Sequence, residues 1–86
     1  MFTVEIITPE ARVFKGEAVQ VIAPGVMGQF GILTAHAPLF CILQKGVVRI
    51  DHSNGARDFF DVVGGFCEVN KNVVIILADS AEKKPQ

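Results

Sequence analysis

Short runs of alternating apolar and polar residues, broken roughly every 6 to 12 residues by a turn signal, constrain this chain most. Phe2, Val4 and Ile6 alternate with Thr3 and Glu5, as a half-buried strand requires. Thr8-Pro9-Glu10-Ala11 reads as a turn, because proline fixes its own φ and pushes its neighbour out of the helical region. Arg12-Val13-Phe14-Lys15 is a short strand ending at Gly16, and residues 19–23 form a longer one that stops at Pro24-Gly25. Residues 28–33, 39–43, 47–51, 57–63, 66–69 and 73–77 supply further strands. Between them lie the loop 34–38, Lys45-Gly46, Ser53-Asn54-Gly55, Gly64-Gly65 and Asn70-Lys71-Asn72. The apolar run at 73–77 predicts burial on both faces. About nine or ten strands and no convincing helix predict an all-β domain, a β-sandwich of two antiparallel sheets. The sandwich is expected to occupy residues 1–80, with 81–86 as a flexible C-terminal tail ending in Lys-Lys-Pro-Gln.

A chain of 86 residues holds one core, and so small a domain needs a dense one. Half of the residues are apolar, including seven Phe, which suits a core and argues against disorder. Eight basic and nine acidic residues give a formal charge of −1, so no basic surface is available for a phosphate backbone and nucleic acid is excluded as a partner. The apolar runs at 73–78 and 39–43 fall far short of the roughly 20 residues of a membrane-spanning helix. Residues 1–5 carry neither a basic start nor a signal-type apolar stretch, so a soluble, unexported chain without membrane insertion is expected. Cys41 and Cys67 both sit in apolar strand-like stretches, where buried, reduced thiols are expected in preference to a disulfide.

Chemistry is sparse. His36 lies five residues before Cys41, but that cysteine is surrounded by Leu39, Phe40, Ile42 and Leu43, where a thiolate is costly. Two His and two Cys at 36, 41, 52 and 67 lack the paired spacing of a zinc site, and the carboxylates are scattered singly. Gly25-Val26-Met27-Gly28-Gln29-Phe30-Gly31 continues into a strand and not a helix, with no Lys-Ser/Thr after it, so it is no phosphate loop. Neither a cofactor nor a metal is expected. Val26, Met27 and Phe30 stand where loops are usually polar; they either form a docking surface or fold back onto the core.

Five segments stand in order: Val4-Glu5-Ile6-Ile7-Thr8-Pro9-Glu10 with Val13-Phe14 and Gly16-Glu17; Gly28-Gln29-Phe30-Gly31-Ile32-Leu33 leading to His36-Ala37-Pro38-Leu39; Gly46-Val47-Val48-Arg49-Ile50; Gly64-Gly65-Phe66-Cys67-Glu68-Val69; and residues 73–82. Together they resemble the ATP synthase epsilon subunit family. The resemblance implies a ten-stranded, non-catalytic sandwich at the foot of a bacterial F-type rotor, peripheral on the cytoplasmic face of the inner membrane. It would grip the gamma subunit, rest on the c-ring and meet the catalytic alpha/beta hexamer only indirectly. It would thereby couple ion-driven rotation to ATP synthesis at sites on other subunits.

Carried over by position, Thr8, His36, Ala37, Pro38 and Cys41 would face gamma, while Met27, Gln29 and Phe30 would face the c-ring. Two of these keep a plainer alternative, His36 as a turn cap and Cys41 as core. Gln29 stands where the family commonly has glutamate, which replaces a charge pair by a hydrogen bond. Thr34-Ala35 stands where Pro-Gly is usual before the histidine. The sequence ends at Gln86, where the family's inhibitory helical hairpin would begin, so neither that arm nor its nucleotide site is expected. Docking faces of this kind are also expected to pair with themselves when gamma is absent. Two other readings compete: a β-sandwich module that binds a small ligand or peptide, and a minimal cysteine hydrolase using Cys41 and His36.

Overall fold

The computed structural model describes residues 1–33 and 38–85. Ten strands follow one another: β1 (Phe2–Ile7), β2 (Arg12–Ala18), β3 (Gln20–Gly25), β4 (Gly28–Leu33), β5 (Leu39–Ile42), β6 (Gly46–Asp51), β7 (Arg57–Val63), β8 (Phe66–Asn70), β9 (Val73–Leu77) and β10 (Ser80–Lys83). They form two five-stranded sheets, ordered β2-β1-β9-β8-β5 and β10-β7-β6-β3-β4. The expected sandwich is therefore present.

Alternation places the core. Val4 and Ile6 from β1, Val74 and Ile76 from β9, and Cys67 and Val69 from β8 point inward from the first sheet. Val21 and Ala23, Val48 and Ile50, and Phe60 and Val62 answer them from the second, so successive residues on each strand fall on opposite faces. The outward residues of β9, Val73, Ile75 and Leu77, are only half-buried, so its continuous apolar run does not mean full burial on both faces.

Turn chemistry sets the connections. Lys71 and Asn72 adopt φ of 52° and 63°, the left-handed pair of a two-residue hairpin between β8 and β9. Gly64 and Gly65 carry the chain from one sheet to the other with φ of 63° and 104°. A Cβ on Gly65 would collide with the Leu77 carbonyl oxygen, so only glycine fits there.

Two details differ from expectation. The pairing is not wholly antiparallel, since β1 runs parallel to β9 from Thr3↔Val73 to Ile7↔Leu77. Two strands distant in sequence are joined there by no hairpin, so their relative direction is set by packing. The predicted tail also begins too early, for β10 pairs Ser80↔Val63 through Lys83↔Phe60. Its Ser-Ala-Glu-Lys sequence lacks an apolar stripe, and edge pairing to β7 orders it instead.

Candidate functional site

The two sheets leave two open sides, and they are built from opposite chemistry. On one side, β2 faces β7 and β10. Phe14 packs edge-on against Phe60 with ring centroids 5.4 Å apart. His52, at the start of the β6–β7 turn, sits between the sheets. Its Nδ1 lies 2.9 Å from the Glu17 carbonyl oxygen and its Nε2 lies 2.8 Å from Asp58 Oδ2. Lys83 Nζ stands 3.4 Å from the other oxygen of Asp58. The Asp58 carboxyl is held below its ordinary value, first by the hydrogen bond from His52 and then by Lys83, against the opposing effect of burial. Both ring nitrogens of His52 are taken by protein oxygens, so neither is available to activate a nucleophile. This side is a polar clasp between the sheets.

On the other side, the β3–β4 hairpin faces β5. Residues 18–44 contain no Asp, Glu, Lys or Arg, so both lips are uncharged. Val26 and Met27 form the hairpin tip, and Met27 is 97% exposed. The Val26 amide donates to the Ile42 carbonyl and the Gln44 amide to that of Pro24, which ties the hairpin to the end of β5. Between hairpin and strand runs an apolar groove, lined by Val26, Met27, Gln29, Phe30, Phe40 and Cys41 among others. Phe30 also packs against the core, so the two readings of the tip divide between residues: Met27 projects and Phe30 folds back.

Cys41 and Cys67 are direct register partners on β5 and β8, and both are free thiols. The β8–β9 hairpin closes at Asn70↔Val73, a hydrogen-bonded pair, so alternation turns the Cys67 amide and carbonyl towards β5. The two cysteines therefore form a hydrogen-bonded pair, with side chains spaced more widely than a disulfide prefers. Burial, aided by the nearby Cys41, pushes the Cys67 thiol up to about 12.

The positions expected to face gamma divide. Pro38 lines a depression with Leu39, Phe40 and Asn70 at one end of β5. Thr8, whose hydroxyl donates to the Ala11 carbonyl at 3.2 Å, borders another with Pro9 and Phe66 near the opposite end. Cys41 lies on the inner side between them. His36 and Ala37 lie outside the described residues. The positions expected to face the c-ring, Met27, Gln29 and Phe30, share the groove with Cys41, so residues of the two sets meet in one surface.

Three contributors were missed by sequence reasoning. Phe40, Ile42 and Phe66 project outward from β5 and β8, with Phe40 60% exposed and its ring 5.3 Å from that of Phe66. They form an apolar strip between the Pro38 and Thr8 depressions, bordered by Glu68 opposite Phe40 and by Asp79 at the Thr8 end. Part of the signal was available: Leu39-Phe40-Cys41-Ile42-Leu43 is apolar at every position, so a strand with one inward face must expose one alternate set of them, and the structure exposes Phe40 and Ile42. Among the described residues no three His, Cys, Asp or Glu side chains gather where a metal ion would fit.

Known proteins share this architecture and sequence. A chain in the Euglena gracilis mitochondrial ATP synthase structure superposes with a TM-score of 0.87 at 23% identity, over 93% of this chain and 51% of that one. A chain in the Tetrahymena thermophila mitochondrial ATP synthase central stalk/c-ring structure gives 0.76 at 17% identity, over 93% and 64%. These likenesses establish the fold. The ATP synthase epsilon chain of Moorella thermoacetica is 49% identical over 95% of this chain and 61% of its own length, and that of Dichelobacter nodosus 44% identical over 95% and 57%. The chain thus spans about three-fifths of these two relatives, whereas it covers 89% of the Chlorobaculum tepidum epsilon chain at 45% identity. The family described as ATP synthase, Delta/Epsilon chain, beta-sandwich domain matches residues 1–84, and the chain belongs to that family.

Proposed function

We propose that this chain is a non-catalytic rotor sandwich of an F-type ATP synthase, which fixes the gamma subunit to the c-ring. The observation that carries this reading is an exposed apolar strip that adjoins an uncharged groove on one side of a family sandwich. A rotor coupling needs a stiff body with exposed apolar contact area and no chemistry of its own. The strip of Phe40, Ile42 and Phe66, with Thr8, Pro38 and Cys41 beside it, is the gamma face. The hairpin tip, Met27 with Gln29 and Phe30, is the c-ring face. ATP is then made on other subunits, on the cytoplasmic side of a bacterial inner membrane. The relatives named ATP synthase epsilon chain support this assignment, as does the c-ring assembly that holds one structural relative.

Co-elution with the cognate gamma subunit on a sizing column tests it. Phe40→Glu is expected to abolish a one-to-one complex that Lys84→Glu, on the clasp side, leaves intact. Failure of both wild type and variants to bind folded gamma would overturn the rotor assignment and favour a ligand-binding module, with the groove as its site.

A further inference from the structure

Each sheet ends in two edge strands, and an exposed edge offers unpaired amides and carbonyls to any passing strand. Three of the four edges are guarded. Strand β2 carries Arg12, Lys15 and Glu17, and its register slips between Ile6 and Ile7 of its neighbour. Strand β10 is four residues long and bears Glu82 and Lys83. Strand β5 is equally short, and the end of its outer edge is taken by the Gly25↔Leu43 bridge and the Val26 amide.

Strand β4 has none of these guards. It is six residues long, Gly-Gln-Phe-Gly-Ile-Leu, with no charge, no proline and no register slip against β3. The hairpin closes at Gly25↔Gly28, so Gly28, Phe30 and Ile32 direct their backbone groups to β3. Alternation turns the amides and carbonyls of Gln29, Gly31 and Leu33 outward, where they have no backbone partner among the described residues.

We infer that β4 is a self-complementary edge through which two copies of this chain pair antiparallel, forming a continuous ten-stranded sheet with Gly31 on the two-fold axis. In that register Gly31 exchanges both hydrogen bonds with its own copy, and Gln29 lies opposite Leu33 of the other chain. The second copy fits on grounds of charge. The whole segment 18–44 is uncharged, so two copies meet with no like-charge repulsion and no ion to strip of water. The absence of a side chain at Gly31 leaves the axis clear, and a Cβ there would meet nothing nearer than Gln20 Nε2 at 3.5 Å. The paired area is small, so the dimer is weak and yields to assembly partners that cover the same side. The inference does not depend on the rotor assignment, because it concerns the chain alone.

Sedimentation equilibrium of the isolated chain between roughly 1 μM and 1 mM tests it. The mass is expected to rise with concentration towards twice the 9.3 kDa monomer. Gly31→Lys places two ammonium groups face to face across the axis and is expected to raise the dissociation constant about tenfold or more. Gly31→Ala, neutral and sterically accommodated, retains dimerisation, and so does Phe40→Lys on the neighbouring strip. Circular dichroism melts of all three confirm an unchanged fold. A monomer at every concentration overturns the inference, and if Gly31→Lys then also loses gamma binding, the edge belongs to a strand of another subunit. A dimer that survives Gly31→Lys, or one abolished by Phe40→Lys, equally overturns it.

Discussion

The clasp side and the groove side of this sandwich solve the same problem differently. Both must finish a two-sheet core where the strands run out. The clasp side does so with its own side chains: Phe14 caps Phe60, and His52 ties a β2 carbonyl to Asp58 and, through it, to Lys83. The groove side is held by a few backbone bonds at the hairpin and otherwise ends in exposed Met27, Phe40 and Ile42. Polar closure makes a side self-sufficient, whereas apolar closure leaves exposed a surface of the kind that another chain can cover.

The comparison breaks most clearly at its aromatic residues. Phe60 is 1% exposed at the heart of the clasp side, and Phe60→Ala is expected to remove about 3–5 kcal/mol in urea unfolding. That is a large part of the roughly 5–10 kcal/mol available to a domain of this size. Phe40→Ala should cost about 1 kcal/mol or less, the value of an exposed aromatic contact. Equal losses would mean that the two sides do not differ in this way.

The thiols sharpen it next. Cys67 is raised by burial from 9.0 to about 12, so the native state keeps its proton where the unfolded chain has lost it. Its contribution is complete below pH 9 and is lost as pH rises towards 12, at about 1.4 kcal/mol per pH unit. Cys67→Ala should flatten that part of the stability curve. A thiol reagent at neutral pH should label only Cys41 in the folded chain.

The smallest effect lies at Asp58. Its folded value is depressed, so its contribution is present above the ordinary 3.8 and is lost as pH falls through the lower folded value. Asp58→Asn should cost about 1 kcal/mol at pH 7 and remove the steepening of acid unfolding below pH 3.8. Unchanged acid unfolding in this variant would show that the clasp carries no weight.

Much of the architecture was legible before any coordinates. Alternation at Phe2-Thr3-Val4-Glu5-Ile6 marks a half-buried strand wherever it pairs, and Asn70-Lys71-Asn72 marks a turn because asparagine tolerates positive φ. Val26, Met27 and Phe30 were legible as an unusual loop tip, since apolar residues there need a reason. Phe66 was legible too, because it shares the parity of Glu68 and Asn70, which mark the outward set of Phe66-Cys67-Glu68-Val69-Asn70. The clasp was not legible: His52 and Asp58 stand six residues apart, but the Glu17 carbonyl that completes it lies 35 residues from His52.

By itself, then, the sequence determined nine of the ten strands, most of their turns, which face of most strands is apolar, and the uncharged run at 18–44, because these follow from local φ preferences and a period of two. Only the tertiary structure decided which strands are neighbours. That choice made β1 and β9 parallel, gave β10 a partner, set Cys41 opposite Cys67 and left β4 with an open edge. The physical reason is that alternation specifies the face a residue takes but carries no information about the strand beside it; that is settled by packing the whole core at once.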